Sequence, residues 1–165
     1  MAGLSDLATP AAEFAQLDLP ARNVFITENE VNGLAFPSMP ESLVIFSLGY
    51  GLERLAEVRW LQEKKIRYWG DIDTHGFAML DRLRANLPHV RSFLMDRETL
   101  LAHRSHWARE EASYKGALAR LTIDEGALYD DLRADRLGAG VRLEQERIAY
   151  GWLRRALGAI ESGPG

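Results

Sequence analysis

The chain has no cysteine among its 165 residues. That one absence removes disulfide scaffolds, thiol nucleophiles, cysteine zinc sites and iron–sulfur clusters. Long hydrophobic runs are missing too, and nothing approaches the roughly eighteen apolar residues of a membrane span. The start, Met1-Ala2-Gly3-Leu4-Ser5-Asp6, has no basic segment followed by an apolar one. No secretory signal is visible, and a cytoplasmic protein is expected. An excess of positive charge is also lacking: 20 Lys and Arg stand against 24 Asp and Glu, a formal net charge of -4. That balance argues against a strongly basic, non-specific nucleic-acid binder. It leaves open a nuclease, whose metal site is itself acidic. Phosphate-binding glycine loops are absent as well. Gly49-Tyr50-Gly51 sits between a strand and a helix, but Arg54 stands where a dinucleotide fingerprint needs its third glycine.

What remains is an ordinary globular composition, 47% hydrophobic and 27% charged, which fits neither disorder nor a fibrous repeat. The length suits one domain with a sizeable core. Residues 1–20, Ala-rich and punctuated by Pro10 and Pro20, read as a linker or a short leading helix. Val24 to Thr27 is a short β-branched run, Leu43 to Phe46 a second, Ile66 to Trp69 a third and Val90 to Met95 a fourth, all bounded like strands. Between them, helical spacing runs from Leu52 to Lys65, and from Thr74, a possible cap, through Leu87. This alternation predicts a parallel sheet covered on both faces. From Arg97 onward the pattern is helical with no convincing strand. Helices are predicted over Glu125–Leu137 and Glu144–Leu157, with a tail over 158–165.

In a parallel α/β sheet, ligands bind beyond the carboxyl ends of the strands. Glu28 follows the first strand, and Asp71 and Asp73 follow the third. Residues two apart on a strand point the same way, so Asp71 and Asp73 can present two carboxylates to one point while Ile72 turns inward. Such oxygens suit a hard divalent cation such as Mg²⁺. The plainer reading is a helix cap with a solvated neighbour. Glu30 competes with Glu28 for a place in the cluster, although a loop position is expected for it. His75 is placed to touch a phosphate or a metal-bound water, or simply sits in a first helical turn. His103 and His106 have a metal-pair spacing but are expected to be surface residues. No Ser/His/Asp constellation can be assembled.

The runs Val24-Phe25-Ile26-Thr27-Glu28-Asn29-Glu30 and Gly70-Asp71-Ile72-Asp73-Thr74-His75-Gly76-Phe77 together resemble a toprim domain. The form Asp-x-Asp-x-x-Gly is similar to the A subunit of topoisomerase VI. With Val141-Arg142-Leu143-Glu144-Gln145-Glu146-Arg147-Ile148 added, the chain resembles the C-terminal domain of the JetD family, the nuclease subunit of the Wadjet plasmid-defence system. The resemblance implies a Rossmann-like toprim sheet of about four parallel strands flanked by helices, with a C-terminal helical extension, over residues 21–157. It also implies Mg²⁺-dependent hydrolysis of duplex DNA, with Mn²⁺ as a substitute. Asp71 and Asp73 would hold the metal, and Glu28 would join them or move a proton. Glu144 and Glu146 would either extend the acidic site or pin the last helix through Arg142 and Arg147. Pinning is the expectation for Glu146, and Glu144 is left open. By the same resemblance, the partners are SMC-type Wadjet subunits and a second copy in the full-length protein.

Topoisomerase VI cleaves with a tyrosine ahead of its toprim part. The 5 tyrosines here all lie inside the expected domain, so hydrolysis is the better expectation. JetD-like proteins carry further N-terminal domains, and activity is expected to depend on those or on partners. Arg97, after the fourth strand, and Arg104 are the candidate DNA contacts. Two other readings stay open: a toprim enzyme acting on RNA or primers, and a non-catalytic module that docks on DNA or protein.

Overall fold

In the first strand, Val24, Phe25 and Ile26 are almost completely buried, as a strand covered on both faces requires. This is β1 (Asn23–Thr27). A computed structural model describes residues 11–17, 19–46, 54–55 and 57–162. A single-turn α1 (Ala11–Phe14) precedes β1, and α2 (Glu30–Leu34) follows it. Next come β2 (Ser42–Ile45), β3 (Lys65–Trp69), α3 (Thr74–Arg84), β4 (Arg91–Ser92) and α4 (Arg97–Ala102). The last third carries β5 (Ala108–Arg109), α5 (Ile123–Arg133), β6 (Val141–Arg142) and α6 (Tyr150–Ser162).

The main sheet has the order β2-β1-β3-β4, and every pair is parallel. The expected α/β, toprim-like architecture is therefore present: a four-stranded parallel sheet flanked by helices, with helices following it in the chain. The order places β2 on one side of β1 and β3 on the other. The chain reverses its winding between β1 and β3, and the crevice beyond their carboxyl ends is where such a sheet takes ligands. Ile26 is in register with Tyr68 and Thr27 with Trp69, so residues just after both strands emerge side by side. One sheet face is aromatic. Phe25 meets Phe36 and Phe93 at ring separations of 4.7 and 5.4 Å, and Trp69 meets Phe93 edge-on. Among the described residues, no helix is long and apolar enough to cross a membrane.

Several local expectations are corrected. The helix read from Leu52 to Lys65 is 3₁₀ where it is described, over 54–55, at 57 and over Arg59–Glu63. Leu55, Val58 and Leu61 are its buried residues, and their spacing of three is the 3₁₀ period rather than the α period. Leu52 and Ala56 lie outside the described residues, as does Gly49-Tyr50-Gly51. The fourth strand is two residues long, not six, because Leu94 turns to a positive φ of 55°. The region after Arg97 does contain strands: β5 and β6 pair antiparallel. α5 starts at Ile123, under a capping box formed by Thr122 and Glu125, and ends at Arg133. The first turn expected of the last helix, Gln145–Arg147, is a separate 3₁₀ turn, while α6 runs on to Ser162. His103 is buried rather than on the surface. Its Nδ1 lies 2.8 Å from the Thr99 carbonyl, and its Nε2 accepts the Ala149 N–H at 3.0 Å.

Candidate functional site

β3 delivers Asp71 and Asp73 to the sheet edge, and a short extended segment holds them there. Ile72 pairs antiparallel with Leu143, with N–H to carbonyl distances of 2.9 and 3.1 Å. Both apolar residues are fully buried, so their neighbours in sequence turn to the other face. In this register Asp73 lies opposite Arg142, and Asp71 opposite Glu144. Arg142 Nη2 donates to Asp71 Oδ2 at 2.6 Å, and its Nε lies 3.2 Å from Asp73 Oδ2. That second contact is an ion pair without hydrogen-bond alignment, leaving the buried Nε with no partner. Glu144 stands 3.7 Å from Arg142 and 3.6 Å from Arg147.

Asp73 is also the cap of α3, its Oδ1 accepting the Gly76 N–H at 2.7 Å. Thr74 is therefore the first helical residue and not the cap. Gly76 has no substitute at this turn: a Cβ there would lie 2.1 Å from the Asp71 carbonyl oxygen. The glycine of Asp-x-Asp-x-x-Gly thus lets the helix start fold back against the strand end. Asp73 is 4% exposed. Burial first, then the nearby carboxylates Glu110 and Asp71, push its carboxyl up to about 6 against the pull of the Gly76 N–H and Arg142.

Glu28 lies at the end of β1, one strand over. Tyr68 donates its hydroxyl to Glu28 Oε1. Burial raises the Glu28 carboxyl above its ordinary range, the Tyr68 bond lowers it, and the Asp71 charge adds to the rise. Burial and the Glu28 charge likewise hold the Tyr68 phenol well above its ordinary value, so Tyr68 stays a donor. Gly70 makes room for this pair, since a Cβ there would fall 2.6 Å from the Tyr68 hydroxyl.

Gln145 ties the two strand ends together. Its main-chain N–H donates to Asp71 Oδ1 at 2.9 Å, and its side-chain Nε2 reaches Thr27 Oγ1 at 3.0 Å and the Trp69 carbonyl. Its Oε1 accepts the Asn29 N–H at 3.2 Å. Glu146 accepts from Asn29 Nδ2 at 2.6 Å. The pinning role expected of Glu146 is therefore exercised on the loop after β1, while Glu144 is the residue that meets Arg142 and Arg147.

Of the candidate residues, Asp71, Asp73 and Glu144 share the Arg142 guanidinium, and Glu28 is in electrostatic reach of Asp71. Glu30 opens α2, capped by Asn29, and is in a helix rather than a loop. His75 is in the first turn of α3, half turned to solvent, with Nε2 2.7 Å from the Ala112 carbonyl. Arg97 pairs with Asp131 at 2.5 Å. Arg104 is exposed, its guanidinium 5.2 Å from the Trp107 ring centroid. Sequence reasoning missed Tyr68, Gln145 and Glu110. Glu110 is a buried carboxylate that accepts the Thr74 hydroxyl at 2.8 Å and the His75 N–H at 3.3 Å. Nothing local marks it, because it reaches Thr74 from 36 residues downstream.

Among the described residues, no group of three or more His, Asp or Glu is placed to cage a metal ion. A cation of the magnesium kind needs less than that, since it is held by one or two carboxylates and keeps waters and phosphate oxygens. Asp71 and Asp73 supply such a pair. Asp73 Oδ2 has the misaligned Arg142 Nε as its cationic neighbour, and that Nε is buried without a hydrogen-bond partner.

An α/β domain with an acidic cluster at the switch point of its sheet is thus defined by residues from four separated segments. The family profile for Wadjet protein JetD, C-terminal, matches residues 1–157, and the chain belongs to that family. No match to the chain was found among curated proteins.

Proposed function

We propose that this domain is the DNA-cleaving module of a Wadjet-type plasmid-defence system, a Mg²⁺-dependent toprim endonuclease that hydrolyses phosphodiester bonds in duplex DNA. The observation that carries the reading is the pair Asp71 and Asp73 side by side at the β1/β3 switch point, with Asp73 buried and its Oδ2 facing Arg142 Nε at 3.2 Å without an aligned hydrogen bond. Family membership supports the Wadjet setting, with SMC-type subunits and a second copy of the full-length protein as partners.

In this reading Asp71 and Asp73 hold the cation, and Mn²⁺ substitutes for Mg²⁺. The bound ion supplies a Lewis acid at the scissile phosphate. Gln145 fixes Asp71 through its N–H, and Gly76 fixes Asp73 through the helix start. Glu28, with its raised carboxyl, accepts the proton of the attacking water, while the Tyr68 hydroxyl orients it. The exposed Arg104 contacts DNA. Arg97, which pairs with Asp131 but keeps a partly exposed guanidinium, is a second candidate contact.

The test is cleavage of supercoiled plasmid by the full chain with its Wadjet partners. Mg²⁺ or Mn²⁺ is expected to support nicking or linearisation in the wild type, and D71N to lower the rate at least about a hundredfold, as losing a transition-state contact does. Cutting by D71N at the wild-type rate contradicts the reading. It would favour the docking alternative, which draws on the hydrogen bonds that already engage both Asp71 oxygens.

A further inference from the structure

Two arginine–carboxylate pairs in this molecule are built differently. Arg84 and Glu125 form a two-pronged fork, Nη1 to Oε2 at 2.5 Å and Nη2 to Oε1 at 3.0 Å, with both side chains under 10% exposed. Arg84 also donates from Nε to the Val90 carbonyl at 2.8 Å. Each nitrogen of that guanidinium is hydrogen-bonded, and the pair is locked. Arg142 has no such fork. One well-formed bond reaches Asp71, Nε faces Asp73 without alignment, and Glu144 stands 3.7 Å away. The side chain is 34% exposed.

A single positive charge is thus divided among three carboxylates, with one well-formed bond, to Asp71. It stands between the two acids assigned to the metal. A guanidinium with an open side fits phosphate oxygens as a fork better than it fits this triangle of acids.

We propose that Arg142 is the exchangeable counter-ion of this site. In metal-free protein it holds Asp71 and Asp73 together. A divalent cation and Arg142 compete for the same two carboxylates, and the displaced guanidinium becomes the donor for a substrate phosphate. This rests on the metal-binding reading above and adds what it does not contain: metal affinity held down by a resident arginine, and metal and DNA phosphate binding that favour each other. The reciprocity follows from linkage, because either ligand relieves the same ion pair.

The test is Mn²⁺ affinity of the full chain, followed by electron paramagnetic resonance without DNA, in wild type, R142M, R142K and D71N. R142M should bind Mn²⁺ about fivefold more tightly than wild type, the size expected when a partly exposed ion pair no longer competes. R142K, which keeps the charge, should stay within about twofold of wild type on the same scale. A merely structural arginine predicts the opposite sign, since its loss loosens Asp71 and weakens binding. Equal or weaker binding by R142M overturns the exchange and leaves the metal reading intact. Wild-type binding that survives in D71N, or no binding by wild type and R142M alike, overturns both. Should R142M fail to fold by circular dichroism, R142Q, uncharged but able to donate to Asp71, takes its place: tighter Mn²⁺ binding supports the exchange, and equal or weaker binding overturns it. A second readout uses a phosphorothioate-blocked duplex. Mn²⁺ should tighten its binding to wild type several-fold, and this gain should vanish in R142M; a gain that persists contradicts the phosphate role.

Discussion

Asp73 illustrates how one side chain can serve the fold and strain it at once. Its Oδ1 caps α3, while burial and two neighbouring carboxylates oppose its charge. The glycine three residues on makes this arrangement possible. Alanine at position 76 would ordinarily favour a helix by up to about 1 kcal/mol. Here its Cβ would stand 2.1 Å from the Asp71 carbonyl oxygen. G76A should therefore destabilise the domain by roughly 2–3 kcal/mol, read as a lower midpoint in thermal unfolding. A midpoint equal to or above wild type would show that the helix start does not press on the strand end. At this scale the sequence displayed the two aspartates, because their spacing is local. It concealed Tyr68, Gln145 and Glu110 as site residues, because their meaning comes from contacts such as Gln145 to Asp71, 74 residues apart.

Elements are joined by the locked pair. Arg84 on α3 and Glu125 on α5 bind the central helix to the C-terminal region, and Ser92 of β4 adds a hydroxyl at 2.7 Å. Burial works to raise the Glu125 carboxyl, but hydrogen bonds from Arg84, Ser92 and the Thr122 N–H outweigh it and hold the group below its ordinary 4.5. A carboxylate lowered in the folded state stabilises fully above its unfolded value, and the contribution fades as pH falls through the folded value. E125Q should cost about 3 kcal/mol at pH 7, because it leaves the Arg84 charge buried and uncompensated. The gap between wild type and E125Q in urea unfolding should stay constant at neutral pH and narrow below 4.5. A gap that is unchanged at acid pH, or widens, contradicts the assignment.

The elements themselves were legible where they were long or strongly patterned. β1, β3 and α3 fall close to the spans that β-branched runs and helical stripes indicate. The two-residue strands β5 and β6 carry no periodicity to read, since two residues cannot show an alternation. Their pairing comes from the tertiary approach of segments about 30 residues apart, joined at Ala108–Arg142 and Arg109–Val141. The 3₁₀ segment reads as α-helix in the sequence because a spacing of three also belongs to the α pattern.

For the whole molecule, the formal charge of -4 now has a distribution. Glu28, Asp71, Asp73 and Glu110 gather near the β1/β3 crevice, coupled electrostatically through Asp71 and Asp73, and Arg142 stands among them. The Leu143 segment pairs with Ile72 just beyond β3, and with that segment come Arg142, Glu144 and Gln145. Everything proposed for this domain depends on Asp71 and Asp73 holding a divalent cation in the place Arg142 guards. Anomalous scattering from a crystal of the full chain soaked in Mn²⁺ decides it. The expected result is a peak bonded to carboxylate oxygens of Asp71 and Asp73, with the Arg142 guanidinium withdrawn from Asp71. Saturating Mn²⁺ with no peak there, and Arg142 still bonded to Asp71, would overturn it.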